Sequence, residues 1–142
     1  MERPILPPGL DDLAALGEAA LASIPAELRR MVEGVGLRIE EFPDDTVVAE
    51  MELESPFELL GLYVGVPFGE KTLSGSAHHP DMIYLYRRPI LDYWCETGED
   101  LAHVVTHVLI HEIGHHFGLS DEAMEALEAQ AEAAEGAGRS RF

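Results

Sequence analysis

A chain of 142 residues with 46% hydrophobic and 25% charged residues suits one globular domain, and we expect residues 1–142 to form it. The formal net charge of −18, with only nine Lys and Arg, argues against a nucleic-acid partner because too few cations exist to meet phosphates. The sequence has no membrane-length apolar run, no apolar signal segment at its start and a single cysteine, so we predict a cytoplasmic protein without an intrachain disulfide.

The first third of the chain has alternating helix and strand signals. Residues 1–9 are rich in proline and are predicted to form an extended arm. Apolar residues at helical spacing predict a helix over 10–24, and Pro25 fits the first turn of a second short helix. Alternating apolar residues predict a half-buried strand over 35–40 and a weaker strand over 46–53.

The middle of the chain contains the expected rest of the sheet. Residues 55–66 predict a short helical turn that leads into a strand over 62–66. Residues 69–81 are rich in Gly, Ser, Pro and His, and a loop of that length in a small domain is expected to be functional or disordered. A strand is predicted over 82–87 and a single helical turn over 89–94.

Two helices are predicted at the end of the chain. A capping box over 97–100 marks the start of the main helix, whose apolar stripe runs to a break at Gly118. Ser120 is a suitable N-cap for a last helix over 121–134, and residues 136–142 are predicted to be a flexible tail.

The main helix carries the sequence HEIGHHFGLSD, which suits a metal site. His111 and His115 lie one turn apart, so both imidazoles can reach one ion. Glu112 lies about 100° around the helix from His111 and can reach a water on that ion without being a ligand. Gly118 permits the left-handed residue that ends a helix and brings Asp121 near as a third ligand. Two imidazoles and one carboxylate suit zinc, with a fourth position open for water.

We therefore predict one Zn²⁺ per chain, held by His111, His115 and Asp121, in a zinc-dependent hydrolase that cleaves peptide bonds. Glu112 would act as general base toward water and would then pass the proton to the leaving amine. If the strand over 82–87 lies at the edge of the sheet, an extended peptide could add to it, which favours a peptide or protein substrate.

Other histidines offer a rival ligand pair. His107 and His111 are also four residues apart, but a pair at these positions lacks the following Glu and the Gly-x-x-Asp extension. Each step of four residues also drifts about 40° around the helix. His103 and His107 are therefore predicted to be surface or core-edge residues, and His78 and His79 to lie in an exposed loop.

Two other functions are compatible with the same motif. The first alternative is a zinc-binding protein-interaction module with little or no proteolytic activity, and the second is a zinc hydrolase that acts on another kind of amide. Glu112 favours an enzyme, because a purely structural zinc site needs no base and usually closes its fourth position with a protein ligand.

HEIGHHFGLSD, together with LLGLYVGVPF at 59–68 and IYLYRRPI at 83–90, resembles the minimal zincin family of small bacterial proteins similar to matrix-metalloprotease-like zincins. The resemblance covers roughly residues 10–130 and includes the metzincin-like pattern H-E-x-x-H-x-x-G-x-x-D. It implies an α+β, zincin-like fold with a small twisted mixed β-sheet packed on the active-site helix, N-terminal helices and a short C-terminal helix. It also implies zinc held by His111, His115 and Asp121, with Glu112 as the catalytic base.

Overall fold

The computed structural model describes the backbone of residues 6–65 and 81–139, and side chains up to residue 133. The predicted loop over 69–81, apart from Asp81, lies outside these residues, and so do His78 and His79. None of the helices in the described ranges combines the length and apolarity needed to cross a membrane.

Helices and a small sheet alternate along the chain. The helices are α1 (Leu10–Ser23), α2 (Ala26–Met31), α3 (Asp45–Glu50), α4 (Arg87–Thr97), α5 (Leu101–His116) and α6 (Asp121–Arg139), and a 3-10 turn spans Pro56–Glu58. The strands are β1 (Gly36–Glu40), β2 (Gly61–Val64) and β3 (Met82–Tyr86). They form a mixed sheet in the order β1-β3-β2, in which β3 pairs parallel with β1 and antiparallel with β2. The predicted α+β architecture is confirmed.

The main helix, α5, is the centre of the core. Eight of its residues are buried, and it packs against α1, β2 and α6. Ile83 and Leu85 of the central strand are fully buried in the same core, as are Leu13 of α1 and Met124 of α6. Burying a side chain of this size contributes about 1.5–3 kcal/mol relative to leaving it exposed. The H-E-x-x-H motif therefore lies on a helix that is packed into the core along most of its length.

The predicted strand over 46–53 is wrong, because residues Asp45–Glu50 form helix α3. Asp44 is its N-cap, and the Asp44 carboxylate accepts a hydrogen bond from the backbone N–H of Val47 at 2.9 Å. No residue of α3 is buried. Because no face of this helix is buried in the core, its sequence needs no apolar stripe at helical spacing. The alternation of apolar and polar residues over 46–53 is therefore coincidental.

The other differences concern where helices begin and end. The single turn predicted over 89–94 is part of the eleven-residue helix α4, which ends at Gly98 with φ of 68°. Asp100 is the N-cap of α5 and accepts from the backbone N–H of His103, whereas the Thr97 hydroxyl donates to Tyr93 O inside α4. Helix α6 runs to Arg139, past the predicted end at residue 134; residues 140–142 lie outside the described structure.

Candidate metal centre

The break between α5 and α6 has the geometry that the motif predicts. Gly118 is left-handed, with φ of 72°. Its N–H donates to His115 O at 3.3 Å, and the N–H of Leu119 donates to Gly114 O at 2.8 Å, which is a Schellman helix end. The Ser120 hydroxyl then accepts from the N–H of Ala123 at 3.1 Å and starts α6. The chain thus turns sharply between the two histidines of the motif and Asp121.

The two histidines of the motif are neighbours on α5. The rings of His111 and His115 lie 5.7 Å apart between centroids and are nearly perpendicular, at 79°. His111 is partly buried, His115 is exposed, and Asp121 is an exposed residue at the start of α6. Their roles as zinc ligands remain predictions from the motif.

Glu112 lies against strand β2. The backbone N–H of Tyr63 donates a hydrogen bond to its carboxylate, which favours the charged form. Burial has the larger effect, so the pKa of Glu112 is raised to about 7. A Cβ atom at Gly61 would lie 2.7 Å from Val108 Cγ1 and 3.4 Å from Glu112 Cγ. Only glycine at position 61 therefore lets β2 approach α5 this closely without a shift.

The edge strand of the described sheet that lies beside α5 is β2, and not β3. Because β3 lies between β1 and β2, it does not meet the condition set for a peptide-binding edge strand. The N–H of Tyr86 donates to Leu60 O, so Leu60 and Tyr86 form a hydrogen-bonded pair. Bonded and non-bonded pairs alternate along an antiparallel ladder, so Tyr63, which lies opposite Ile83, belongs to a non-bonded pair. The backbone N–H and C=O of Tyr63 therefore face away from β3. Within the described strands, β2 pairs on one side only, and Glu112 lies at its other side.

Tyr63 connects this edge to the end of α5. Its ring stacks on His116 with centroids 3.9 Å apart and 19° between planes, and its hydroxyl donates to Asp81 at 2.8 Å. Burial and the contact with the Asp81 carboxylate raise the pKa of Tyr63 above its ordinary value. His116 is therefore a packing partner of β2.

A group of three side chains that could hold a metal ion lies between α5 and α6. Glu128 Oε1 is 3.0 Å from His111 Nε2 and contacts His107 Nδ1. Among the described residues, this is the one group of three His, Cys, Asp or Glu whose ligand atoms all lie within 4.8 Å of one another. It includes His111 of the motif but neither His115 nor Asp121.

Sequence reasoning missed this group, although it considered the pair of His107 with His111. The sequence signal that could have indicated this group is a row of histidines and a row of glutamates with the same spacing of four residues. His103, His107 and His111 recur every four residues on α5, and Glu128 and Glu132 do so on α6. Pairing the rows requires knowing that these faces of the two helices meet.

These features, a helix carrying H-E-x-x-H with its glutamate at the edge of a small mixed sheet, define a metallopeptidase-like α+β domain. The model of the zincin-like metallopeptidase family matches residues 32–131, and the chain belongs to that family. The matched segment runs from the end of α2 into α6 and includes the whole motif and Glu128. The resemblance seen in the sequence is thereby confirmed. No curated protein matches the chain.

Proposed function

We propose that this protein is a zinc-dependent peptidase in which His111, His115 and Asp121 hold the ion and Glu112 is the general base. The observation that carries the proposal is the position of Glu112. It directly follows a ligand histidine, and it lies at the outer edge of β2 in contact with the Tyr63 backbone N–H. A base at the edge of a strand is well placed to act on a backbone amide that runs along that edge.

The donor chemistry of the α5–α6 region fits zinc. It offers imidazole nitrogens on one helix and carboxylate oxygens on the next, the ligand types that zinc takes in catalytic sites. A bound zinc ion would supply Lewis acidity toward a scissile carbonyl and toward water near neutral pH. The family match supports the same choice of ion, because the family is one of zincin-like metallopeptidases.

The residues of the chain perform the remaining tasks. An extended peptide added to the outer edge of β2 would pair with backbone groups of the strand other than the Tyr63 N–H, which donates to Glu112, and this pairing would fix the direction of the peptide beside α5. Glu112 takes the proton of the attacking water and returns it to the leaving amine. Gly61 keeps β2 close enough to α5 for the base and the strand edge to meet, since a larger residue would strike Val108.

The test is cleavage of a peptide library by the zinc-loaded protein and three variants. We expect Glu112→Gln to keep zinc and to lower the cleavage rate by about 10²–10⁴-fold, because it removes the base but keeps the shape. His115→Ala should also abolish cleavage. Glu125→Gln, an exposed glutamate of α6, is the matched control and should cleave at the wild-type rate. Wild-type activity in Glu112→Gln would contradict the proposed role of the base.

A zinc-binding interaction module is the second candidate function. It is favoured by the group of His107, His111 and Glu128, which lies at the packed interface of two helices and would be suited to structural binding. A zinc-loaded wild type that cleaves no peptide of the library would support this alternative over the peptidase.

A further inference from the structure

Helices α5 and α6 face each other with a row of histidines opposite a row of glutamates. His103 Nε2 lies 3.3 Å from Glu132 Oε1, and one turn further along, His107 and His111 both approach Glu128. The two places differ in burial, since the side chain of Glu132 is 56% exposed and that of Glu128 only 18%. The contact of His103 with Glu132 is a surface contact, whereas the carboxylate of Glu128 is largely buried beside a half-exposed His107.

The carboxylate of Glu128 is held in an unusual way. Its Oε1 atom is buried and lies near a ring nitrogen from each of two imidazoles, yet it accepts no hydrogen bond from any described residue. A buried carboxylate oxygen costs free energy unless a hydrogen bond or a cation compensates it. A divalent ion bound by these three atoms would compensate the charge and would use both ring nitrogens as ligands.

The rings of His107 and His111 lie 4.2 Å apart between centroids, and a nitrogen of each ring faces the same carboxylate oxygen of Glu128. Two imidazoles and one carboxylate are a common ligand set of zinc and of other divalent ions late in the first transition row.

We propose that His107, His111 and Glu128 form a second transition-metal site between α5 and α6, distinct from the site of the H-E-x-x-H motif. His111 belongs to both ligand sets, and its Nε2 atom can bind one ion at a time. The two sites are therefore alternatives, and the chain holds one ion in either of them. An ion held by Glu128 occupies the His111 nitrogen, so the second site competes with the motif site for metal.

The experiment first removes the two motif ligands that the second site does not share, His115 and Asp121. In a His115→Ala/Asp121→Asn double variant, titration with Zn²⁺ by calorimetry and with Co²⁺ by visible absorption should still show one bound ion per chain. Adding His107→Ala or Glu128→Gln to this background should weaken binding at least about tenfold, because either change removes a ligand. The matched controls are His103→Ala and Glu132→Gln in the same background. They alter the neighbouring pair of the same two rows and should leave the affinity unchanged.

The result that overturns the proposal is a double variant that binds no ion, or one whose affinity is indifferent to both His107→Ala and Glu128→Gln. Glu128→Gln keeps the size of the side chain, so it tests the site even if His107→Ala fails to fold. The readout is metal binding in a background that lacks His115 and Asp121 and keeps His111. Its failure would leave the peptidase proposal intact, and absence of peptide cleavage by the wild type would leave the second site intact.

Discussion

The chemistry of Glu112 depends on its neighbours as much as on the motif. The sequence places it next to His111, a proposed zinc ligand, but the contact with the Tyr63 N–H and the close approach of Gly61 come from strand β2, about fifty residues earlier in the chain. Burial raises the pKa of Glu112 to about 7, against an ordinary value of 4.5, although the hydrogen bond from the Tyr63 N–H acts in the opposite direction. The residue therefore exchanges its proton near neutral pH in the metal-free protein.

The raised pKa of Glu112 predicts how the stability of the metal-free protein changes with pH. Between pH 4.5 and pH 7 the unfolded chain releases the Glu112 proton while the folded chain retains it, so stability falls as pH rises through this window. The wild type should lose about 3 kcal/mol relative to Glu112→Gln across the window, with a plateau above it. Urea unfolding of both proteins in chelator, at several pH values, measures the difference.

The other titrating groups cancel in that comparison, because the two proteins differ at one residue. A constant difference in unfolding free energy from pH 4.5 to pH 8 would mean that the folded protein leaves the pKa of Glu112 at its ordinary value.

The group of His107, His111 and Glu128 could not be predicted from the spacing of residues in the sequence. His111, Glu112 and His115 can be placed on one helix from spacing alone, because a helix repeats every 3.6 residues. Glu128 belongs to another helix, and its approach to His111 depends on how α5 and α6 pack. No local pattern fixes that packing.

Elements were predictable from the sequence where their periodicity reflects burial. Helices α1 and α5 and strands β1 and β3 have apolar stripes that face the core, and each lies close to its predicted position. Helix α3 buries no residue, so it has no such stripe, and it was predicted as a strand. The end of α5 and the start of α6 were predictable for another reason, since glycine at a left-handed position and serine at an N-cap act locally.

The turn at Gly118 can be tested against an equal turn elsewhere. Gly118 and Gly98 both end a helix with φ near 70°, and a Cβ atom at either would meet nothing within 4 Å. Alanine should therefore cost about 1 kcal/mol of stability at both positions, through backbone strain alone. Only Gly118 lies between His115 and Asp121. Gly118→Ala should lower kcat/KM by about 10- to 100-fold through displacement of the ligand, whereas Gly98→Ala should not.

Urea unfolding and peptide cleavage of the two variants measure these effects. Equal losses of activity in Gly118→Ala and Gly98→Ala would mean that the turn after α5 has no special role in placing the site.

The order of the strands was the least predictable property of the whole molecule. Strand β3 is central, and it pairs with β1 across more than forty residues of intervening chain. The sequence shows that each strand has a buried face but not which strands are neighbours, because pairing depends on long-range packing. The substrate-binding edge was accordingly sought on β3, whereas Glu112 lies at the edge of β2.

An ion at either proposed site would be coupled to the stability of the entire domain through the core around α5. His111 lies on the central helix and belongs to both proposed ligand sets, while the remaining ligands extend to α6, whose Met124 and Leu127 are buried in the same core. An ion bound to the folded chain should therefore stabilise the whole molecule by mass action. At a zinc concentration 100 times Kd, the free energy of unfolding should rise by about 2.7 kcal/mol.

His111→Ala should abolish this gain, because it removes a ligand of either site. His103→Ala, on the same helix but in neither ligand set, should retain it. Urea unfolding with and without zinc measures all three proteins, and a zinc-dependent gain in His111→Ala equal to that of the wild type would exclude both sites at once.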